Sequence, residues 1–209
     1  NFNQKSMKII CVGRNYAAHA AELKNPLSAE PVIFMKPETA QLLPRMPFFI
    51  PDFSADIHHE VELVVKINRT GKHIQEQFAN TYYDEIGIGI DFTARDKQSQ
   101  LKEKGLPWEL AKAFDGSAPT GKFLNKSTFA SVQNINFHLE KNSTTVQQGN
   151  SSNMLFNIDK IIAFVSSFIT LKKGDLIFTG TPEGVGKIQA NDVLDAFIEG
   201  QHLLNVKIK

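Results

Sequence analysis

Short apolar runs alternate with turn-forming residues along most of the chain. Several runs alternate apolar and polar positions, and others are continuously apolar and bounded by glycine, proline or asparagine. Runs of this length and period predict β-strands. Roughly nine strands are expected on this pattern, and they cover residues 8–12, 32–35, 58–65, 86–91, 175–178, 193–198 and 203–208 and the two arms of a hairpin over residues 135–148.

One helix is clearly marked by its hydrophobic spacing. The segment from Ile158 to Leu171 repeats apolar residues at helical intervals, Asn157 precedes it as an N-cap, and Lys172-Lys173-Gly174 follows as a stop signal. Weaker helical signals cover residues 17–23 and 74–80. Many strands with few helices predict a β-rich α+β fold.

The length of the chain fits one domain with a sizeable core. The sequence has 209 residues, of which 42% are hydrophobic and 22% charged, and it contains no internal repeat or low-complexity segment. We expect a single domain over residues 7–209, with Met7 as the natural start and residues 1–6 as added sequence outside the fold.

The charge and the cysteine content of the chain limit the kinds of partner and cellular location that we expect. The formal net charge is +1 and no basic run stands out, which argues against nucleic acid and membrane partners. The single cysteine, Cys11, lies in an apolar run, so we expect a buried core thiol and a reducing, cytoplasmic location. No run is long enough to span a bilayer and no signal peptide is visible. A small-molecule or protein partner is favoured.

Acidic residues occupy strand positions that usually carry neutral side chains. Glu60 and Glu62 project from one face of their strand, and Asp91 ends another strand that is rich in glycine. Three carboxylates are the ligands that Mg²⁺ or Mn²⁺ prefers. The alternatives are a solvated strand face for the two glutamates and a helix cap for Asp91. We place His58 and His59 behind the ligands, as hydrogen-bonding groups.

Three further features are candidates for chemistry. His19 and Glu22 share a helical face and form either an acid–base pair or a solvated surface pair. Lys112 lies between two alanines, and it either binds an anion or reaches the surface. The glycine-rich loop over residues 179–186 exposes backbone amides but lacks the lysine of a phosphate-binding loop. No Gly-x-Ser-x-Gly elbow is present, which argues against a serine hydrolase.

Taken in order, five fragments resemble the fumarylacetoacetate hydrolase family over nearly the whole chain from Met7. They are Gly13-Arg14-Asn15-Tyr16 with His19 and Glu22; His58-His59-Glu60-Val61-Glu62; Gly89-Ile90-Asp91-Phe92-Thr93-Ala94-Arg95-Asp96; Lys112-Ala113-Phe114-Asp115; and Thr179-Gly180-Thr181-Pro182-Glu183-Gly184-Val185-Gly186. The compact length is most similar to the branch of small acylpyruvate hydrolases and oxaloacetate decarboxylases.

The resemblance implies a fold, a cofactor and residue roles. It implies a catalytic mixed β-sheet roll with few helices, usually a homodimer. Mg²⁺ or Mn²⁺ would be held by Glu60, Glu62 and Asp91. His19 and Glu22 would form a water-activating dyad on a flexible lid, and Lys112 would contact metal-bound substrate or water. The residues implied for binding substrate carboxylate and oxygens are Arg14, Tyr16, Arg95 and Thr181.

The implied activity is metal-dependent cleavage of a C–C bond in an acylpyruvate, a 2,4-dioxo acid, to pyruvate and a carboxylic acid. Oxaloacetate decarboxylation is expected beside it, because both reactions pass through the enolate of pyruvate. One alternative is an isomerase or decarboxylase of a dioxo acid of the 2-hydroxyhepta-2,4-diene-1,7-dioate type. Another is a noncatalytic metal-binding dimer, which would not need His19, Glu22 and Lys112 together.

Overall fold

The computed structural model describes residues 7–22, 28–43 and 45–209, and strands dominate it. The strands are, in chain order, β1 (Ile9–Gly13), β2 (Val32–Lys36), β3 (Ile57–His59), β4 (Val61–Ile67), β5 (Tyr83–Ile90), β6 (Thr93–Ala94), β7 (Leu124–Asn125), β8 (Asn136–Lys141), β9 (Thr144–Asn150), β10 (Leu176–Phe178), β11 (Gly186–Lys187), β12 (Val193–Ile198) and β13 (Gln201–Lys207).

The helices are few and short. The α-helices are α1 (Ala17–Glu22), α2 (Glu76–Ala79), α3 (Arg95–Glu103), α4 (Glu109–Lys112) and α5 (Ile158–Phe168), with 3₁₀ turns at Glu38–Ala40, Asn80–Tyr82, Lys126–Thr128 and Ser151–Asn153. Within the described residues, none of the helices is long and apolar enough to cross a membrane.

The strands form three sheets. The largest has six strands in the order β2-β1-β10-β4-β5-β7, and it is mixed because β1 and β10 run parallel while their other neighbours run antiparallel. A four-stranded antiparallel sheet has the order β13-β12-β8-β9, and a small third sheet has the order β11-β3-β6. The prediction of a β-rich fold with mixed sheets and few helices is confirmed.

Strand β4 lies in the middle of the main sheet and is covered on both faces. Val61, Leu63 and Val65 belong to the main core cluster, whereas Val64 on the opposite face packs in a smaller cluster with Cys11. Burial on both faces over residues 61–65 leaves no solvated side for Glu62. The expectation of a buried core cysteine is confirmed.

The glycine-rich face of β5 is filled by aromatic rings. A Cβ atom at Gly89 would lie 2.7 Å from the ring of Phe178, and one at Gly87 would lie 2.9 Å from the ring of Phe123. The sequence pattern indicates the close approach of a ligand or another backbone. On this face, the approaching groups are side chains of the protein's own core.

Two predicted helix boundaries differ from the observed ones. Helix α5 ends at Phe168, before the predicted end at Leu171, because Leu171 is buried and its backbone forms an antiparallel bridge with Gly71. A helix capped by Asp91 would begin at Phe92, but α3 begins only at Arg95, since Thr93–Ala94 form β6 against β3.

Candidate metal and substrate site

Three buried carboxylates form the floor of the site. Glu60 joins β3 to β4, Glu62 lies on β4, and Asp91 follows β5. The antiparallel register of β4 and β5 brings Asp91 opposite Glu60, and the Asp91 amide donates to the Glu60 carbonyl at 2.8 Å. One ligand oxygen from each carboxyl group lies within 4.8 Å of the others. All three side chains are at most 5% exposed, which excludes the solvated strand face.

The alternative role of Asp91 as a helix cap is also excluded. The residue before α3 is Ala94, and it makes no side-chain cap. Asp91 instead accepts a hydrogen bond from Lys112 Nζ at 2.7 Å and forms an ion pair with Lys36 Nζ, also at 2.7 Å. The short β6 segment therefore separates Asp91 from the helix and directs its carboxylate into the acid cluster.

Lys112 is buried and bridges two of the acids. It ends α4, is 3% exposed, and its Nζ lies 2.8 Å from Glu60 Oε2 and also donates to Thr93 Oγ1. Burial favours a low pKa for Lys112, but the carboxylates of Asp91 and Glu60 outweigh it and raise the pKa. Lys112 is therefore a fixed ammonium group inside the site, and the alternative of a surface lysine is excluded.

The carboxylates of the floor have unequal electrostatic surroundings. Burial alone would raise the pKa of Glu60, but Lys112 and Arg95 outweigh it and hold the pKa well below its usual range. Burial raises the pKa of Glu62 well above its usual range, and Asp91 and Glu60 add to the shift. Among the described residues, the hydrogen bond that reaches Glu62 comes from the Gly180 amide, at 2.7 Å.

This donor set fits a divalent cation. Three neighbouring carboxylates supply the hard oxygen ligands that Mg²⁺ and Mn²⁺ prefer. Among the described residues Glu62 forms no ion pair, and its pKa is raised by burial and by the neighbouring Asp91 and Glu60; a dication held by Glu60, Glu62 and Asp91 would compensate its negative charge.

His19 lines the same cavity from α1, and Glu22 lies beside it on the same helix. His19 Nδ1 lies 3.2 Å from Glu22 Oε2, and the Gly184 amide donates to Glu22 Oε1 at 3.0 Å. Since a carboxylate only accepts, Nδ1 carries the proton and Nε2 is the basic nitrogen. His19 is buried whereas Glu22 is exposed to solvent, so the pair connects the cavity to the surface. The mobility of this segment as a lid stays a prediction.

The glycine-rich loop after β10 uses its amides on the protein's own carboxylates. Gly180 and Gly184 donate to Glu62 and Glu22, and both adopt positive φ angles, of 100° and 92°. A Cβ atom at Gly184 would lie 2.4 Å from a backbone carbonyl oxygen. Glycine is needed at these positions because the backbone turns sharply and packs closely. The loop thus positions one acid of the floor and one member of the dyad.

Of the four residues that the family resemblance implies for substrate binding, three line the cavity and one does not. Arg14, Arg95 and Thr181 line the cavity together with the three acids, His19 and Lys112. Tyr16 lies behind it in the core, is 2% exposed, and packs edge to face against Phe137 with ring centroids 6.4 Å apart. Its role as a substrate ligand stays a prediction that this location does not favour.

A chain of hydrogen bonds connects His59 to Thr181. His59 Nδ1 lies 2.9 Å from Gln147 Oε1, and Gln147 Nε2 donates to Thr181 Oγ1 at 2.9 Å. Burial lowers the pKa of His59 and keeps the ring neutral. His59 thus positions a cavity residue from behind, whereas His58 pairs with Asp56, at 3.1 Å.

Several residues of the site are not predicted by any sequence motif. Lys36 ends β2, is 1% exposed, and donates to the Ser117 carbonyl as well as contacting Asp91. Gln98, Lys102 and Trp108 also line the cavity. A lysine at the end of a short apolar strand was the available signal for Lys36, but nothing in the sequence places it beside Asp91.

Comparison with known proteins is consistent with this geometry. A family model described as "Fumarylacetoacetate (FAA) hydrolase C-terminal" matches residues 8–209. "Oxaloacetate tautomerase FAHD1, mitochondrial" of Mus musculus is 43% identical, with 96% of this chain and 91% of the relative covered. "Oxaloacetate decarboxylase, mitochondrial" of Dictyostelium discoideum is 40% identical, with 95% and 92% covered.

Solved structures share the fold over almost the whole chain. Fumarylpyruvate hydrolase from Pseudomonas aeruginosa, in complex with Mn²⁺ and pyruvate, has a TM-score of 0.91 and 33% identity, with 97% of this chain and 89% of that chain covered. The 2-hydroxyhepta-2,4-diene-1,7-dioate isomerase from Mycobacterium marinum has a TM-score of 0.84 and 33% identity, with 97% and 74% covered. The family match and the identity to full-length relatives together show that this chain belongs to the fumarylacetoacetate hydrolase family.

Proposed function

We propose that the chain is a Mg²⁺- or Mn²⁺-dependent hydrolase that cleaves acylpyruvates to pyruvate and a carboxylic acid, and that it also decarboxylates oxaloacetate. The observation that carries the proposal is the convergence of three groups on one cavity. These are the acid cluster of Glu60, Glu62 and Asp91, the buried ammonium of Lys112, and the imidazole of His19. The Mn²⁺ and pyruvate in the related fumarylpyruvate hydrolase support it.

The three acids would hold the cation. A bound dication would supply Lewis-acid stabilisation of the negative charge that develops on the 2-oxo oxygen of the substrate. Arg14, Arg95 and Thr181 line the cavity and are our candidates for holding the substrate carboxylate and oxygens. Lys36 and Lys112 fix the orientation of Asp91 by contacting its two carboxylate oxygens.

In hydrolysis, His19 would act as the general base. Glu22 accepts a hydrogen bond from the Nδ1–H of His19 and a second one from the Gly184 amide. These bonds orient the imidazole, so that Nε2 takes the proton from water. The resulting hydroxide attacks the distal carbonyl carbon. The C–C bond then breaks, its electron pair becomes the enolate of pyruvate, and proton uptake at carbon completes pyruvate. Lys112 would stabilise the enolate oxygen by its positive charge.

Oxaloacetate decarboxylation needs only part of this machinery. Loss of CO₂ leaves the same enolate of pyruvate without the addition of water. Lys112 therefore serves both reactions, whereas the water-activating role of His19 serves hydrolysis alone.

A second candidate reaction is the tautomerisation of oxaloacetate. The mouse relative carries that name at 43% identity. The chemistry fits the same residues, because a base removes a proton from the carbon beside the 2-oxo group and a cation stabilises the enolate. Isomerisation of a 2-hydroxyhepta-2,4-diene-1,7-dioate, as named for the Mycobacterium marinum neighbour, would also proceed through an enolate.

The decisive assay offers acetylpyruvate, fumarylpyruvate and oxaloacetate to the protein with Mg²⁺, with Mn²⁺ and with a chelator. Release of pyruvate from the acylpyruvates only with metal is the expected result. Interconversion of enol and keto oxaloacetate without pyruvate release would favour the tautomerase. No turnover of any of the three compounds would contradict the proposal. Lys104 directly follows α3 and is exposed, so it offers a control. The variant Lys104→Met should retain full activity.

Two expectations on assembly and location accompany the proposal. We propose a homodimer, as the family resemblance implies. The cytoplasmic location stays a prediction, and the mouse relative is mitochondrial by name.

A further inference from the structure

Two cations at the mouth of the cavity flank one aromatic ring. Arg14 follows β1, Lys102 lies on α3, and Trp108 precedes α4. The Trp108 ring centroid lies 5.9 Å from Arg14 Cζ and 5.5 Å from Lys102 Nζ. All three residues line the same cavity as the three acids. We refer to Arg14, Lys102 and Trp108 as the cationic rim.

The cations of the rim lack the anionic partners that the inner cations have. Arg95 and Lys112 both pair with Glu60. Across residues 7–22, 28–43 and 45–209, no carboxylate forms an ion pair with Arg14 or Lys102, and the buried Nε of Arg14 has no hydrogen-bond partner. Two unpaired cations directed at one cavity favour an anion between them.

The charge on Lys102 is disfavoured by its surroundings. Burial lowers the pKa of Lys102 to about 8, and Arg14, Arg95 and Lys112 contribute to the shift while Glu60 opposes it. An anion bound at the rim would remove this repulsion. The alternative of a lysine that merely reaches water is less consistent with a half-buried side chain against Trp108.

The backbone also supports a ligand-directed Arg14. Its φ angle is 59°, in the left-handed region that a residue other than glycine or asparagine rarely adopts. Strain of this kind is retained where the surrounding structure enforces it, and it occurs often at binding sites. Trp108 is fixed in turn by Phe34, with ring centroids 6.0 Å apart.

The rim lies on the solvent side of the floor. The side chains of the acids and Lys112 are at most 5% exposed, whereas Arg14, Lys102 and Trp108 are only partly buried. A 2-oxo acid whose reacting end lies over the acids therefore directs its far end towards the rim. This placement rests on the proposed function.

We propose that Lys102, together with Arg14, binds a second carboxylate at the far end of the substrate and makes the site selective for dicarboxylic 2-oxo acids over monocarboxylic ones. Lys102 is a specificity-determining residue in this account. It takes no part in bond cleavage.

The kinetic test compares fumarylpyruvate, whose second carboxylate stays intact in the fumarate product, with acetylpyruvate, which has no second carboxylate. Lys102→Met should raise the KM for fumarylpyruvate about 10- to 100-fold, because a hydrogen bond to a charged group contributes about one to two factors of ten to binding. The KM for acetylpyruvate and both kcat values should change less than about twofold. Lys102→Arg should return the KM for fumarylpyruvate most of the way to the wild-type value, and the exposed Lys104→Met should match the wild type.

A binding test separates this inference from the proposed function. Trp108 is the only tryptophan in the sequence, so its fluorescence reports occupancy of the rim. In the presence of Mn²⁺, 2-oxoglutarate should bind the wild type more tightly than 2-oxopentanoate, which has the same number of carbons and one carboxylate. Lys102→Met should abolish that preference.

The outcomes are distinct. Absence of turnover together with a dicarboxylate preference that depends on Lys102 would contradict the proposed function and support the rim. Equal changes for both classes of ligand in Lys102→Met, or no preference in the wild type, would overturn the assignment of Lys102.

Discussion

The two glutamates of the acid cluster are compensated very differently, and this difference predicts opposite effects of neutralising them. Glu60 forms ion pairs with Lys112 and Arg95. Glu62 accepts from the Gly180 amide and faces the other two acids without a cation of its own among the described residues. In the metal-free protein, Glu62→Gln should therefore stabilise the fold and Glu60→Gln should destabilise it.

The magnitudes follow from these contacts. Glu62→Gln removes a poorly compensated buried charge and keeps an oxygen for the Gly180 amide, so we expect a gain of about 1–3 kcal/mol in the free energy of unfolding. Glu60→Gln leaves Lys112 and Arg95 undercompensated. The expected loss is about 3 kcal/mol, at the lower end for a broken buried pair, because Lys112 keeps its contact with Asp91.

The assay is equilibrium unfolding in urea with EDTA, followed by the fluorescence of Trp108. With a urea dependence of about 2 kcal/mol/M, the midpoint should rise by roughly 0.5–1.5 M in Glu62→Gln and fall by roughly 1.5 M in Glu60→Gln. Glu103→Gln, an exposed neutralisation on α3, should leave the midpoint unchanged.

Adding Mn²⁺ should remove most of the stability advantage of Glu62→Gln over the wild type, and Glu60→Gln should remain the least stable of the three proteins. At a free concentration one hundred times its dissociation constant, Mn²⁺ should stabilise the wild type by about 2.7 kcal/mol, and each glutamine variant should lose most of that gain. Equal destabilisation by both substitutions in EDTA would refute the unequal compensation. A full Mn²⁺ shift in Glu62→Gln would refute its role as a ligand.

Three further outcomes are expected. His19→Ala should reduce acylpyruvate hydrolysis about 10²- to 10⁴-fold and oxaloacetate decarboxylation less than about tenfold, both measured as pyruvate release; equal losses would argue against water activation by His19. Lys36→Met removes a buried cation from Asp91 and should lower the free energy of unfolding by about 3 kcal/mol in the same urea assay; an unchanged midpoint would show that this contact contributes nothing. Light scattering should give a mass about twice the 23.3 kDa of one chain, and a monomer mass would contradict the homodimer.

The sequence predicted the strands well because their signals are local. The hairpin turn after β8 is formed by Asn142 and Ser143, with φ angles of 52° and 63°, as the turn-forming residues between two alternating runs indicate. The predicted end of α5 at Leu171 was wrong because the observed end depends on a bridge between Leu171 and Gly71, which are 100 positions apart in the chain. No local pattern contains that contact.

Sequence motifs predicted the residues of the candidate site only where the contact between them is local in the chain. Glu60 and Glu62 are two positions apart on one strand, so their proximity follows from strand geometry. The approach of Asp91 depends on the register of β4 and β5, and the burial of Lys112 depends on packing of α4 against the sheet. Lys36 reaches Asp91 across 55 positions, and this ion pair became visible only in three dimensions.

The central claim is that Glu60, Glu62 and Asp91 hold a divalent metal on which a 2-oxo acid is recognised. The most direct measurement is anomalous X-ray diffraction at the manganese edge, from crystals grown with Mn²⁺ and oxalate, a stable mimic of the pyruvate enolate. We predict one manganese peak in contact with all three carboxylates, with oxalate completing its coordination in the cavity beside Lys112. A manganese peak elsewhere, or oxalate bound away from the metal, would contradict the account.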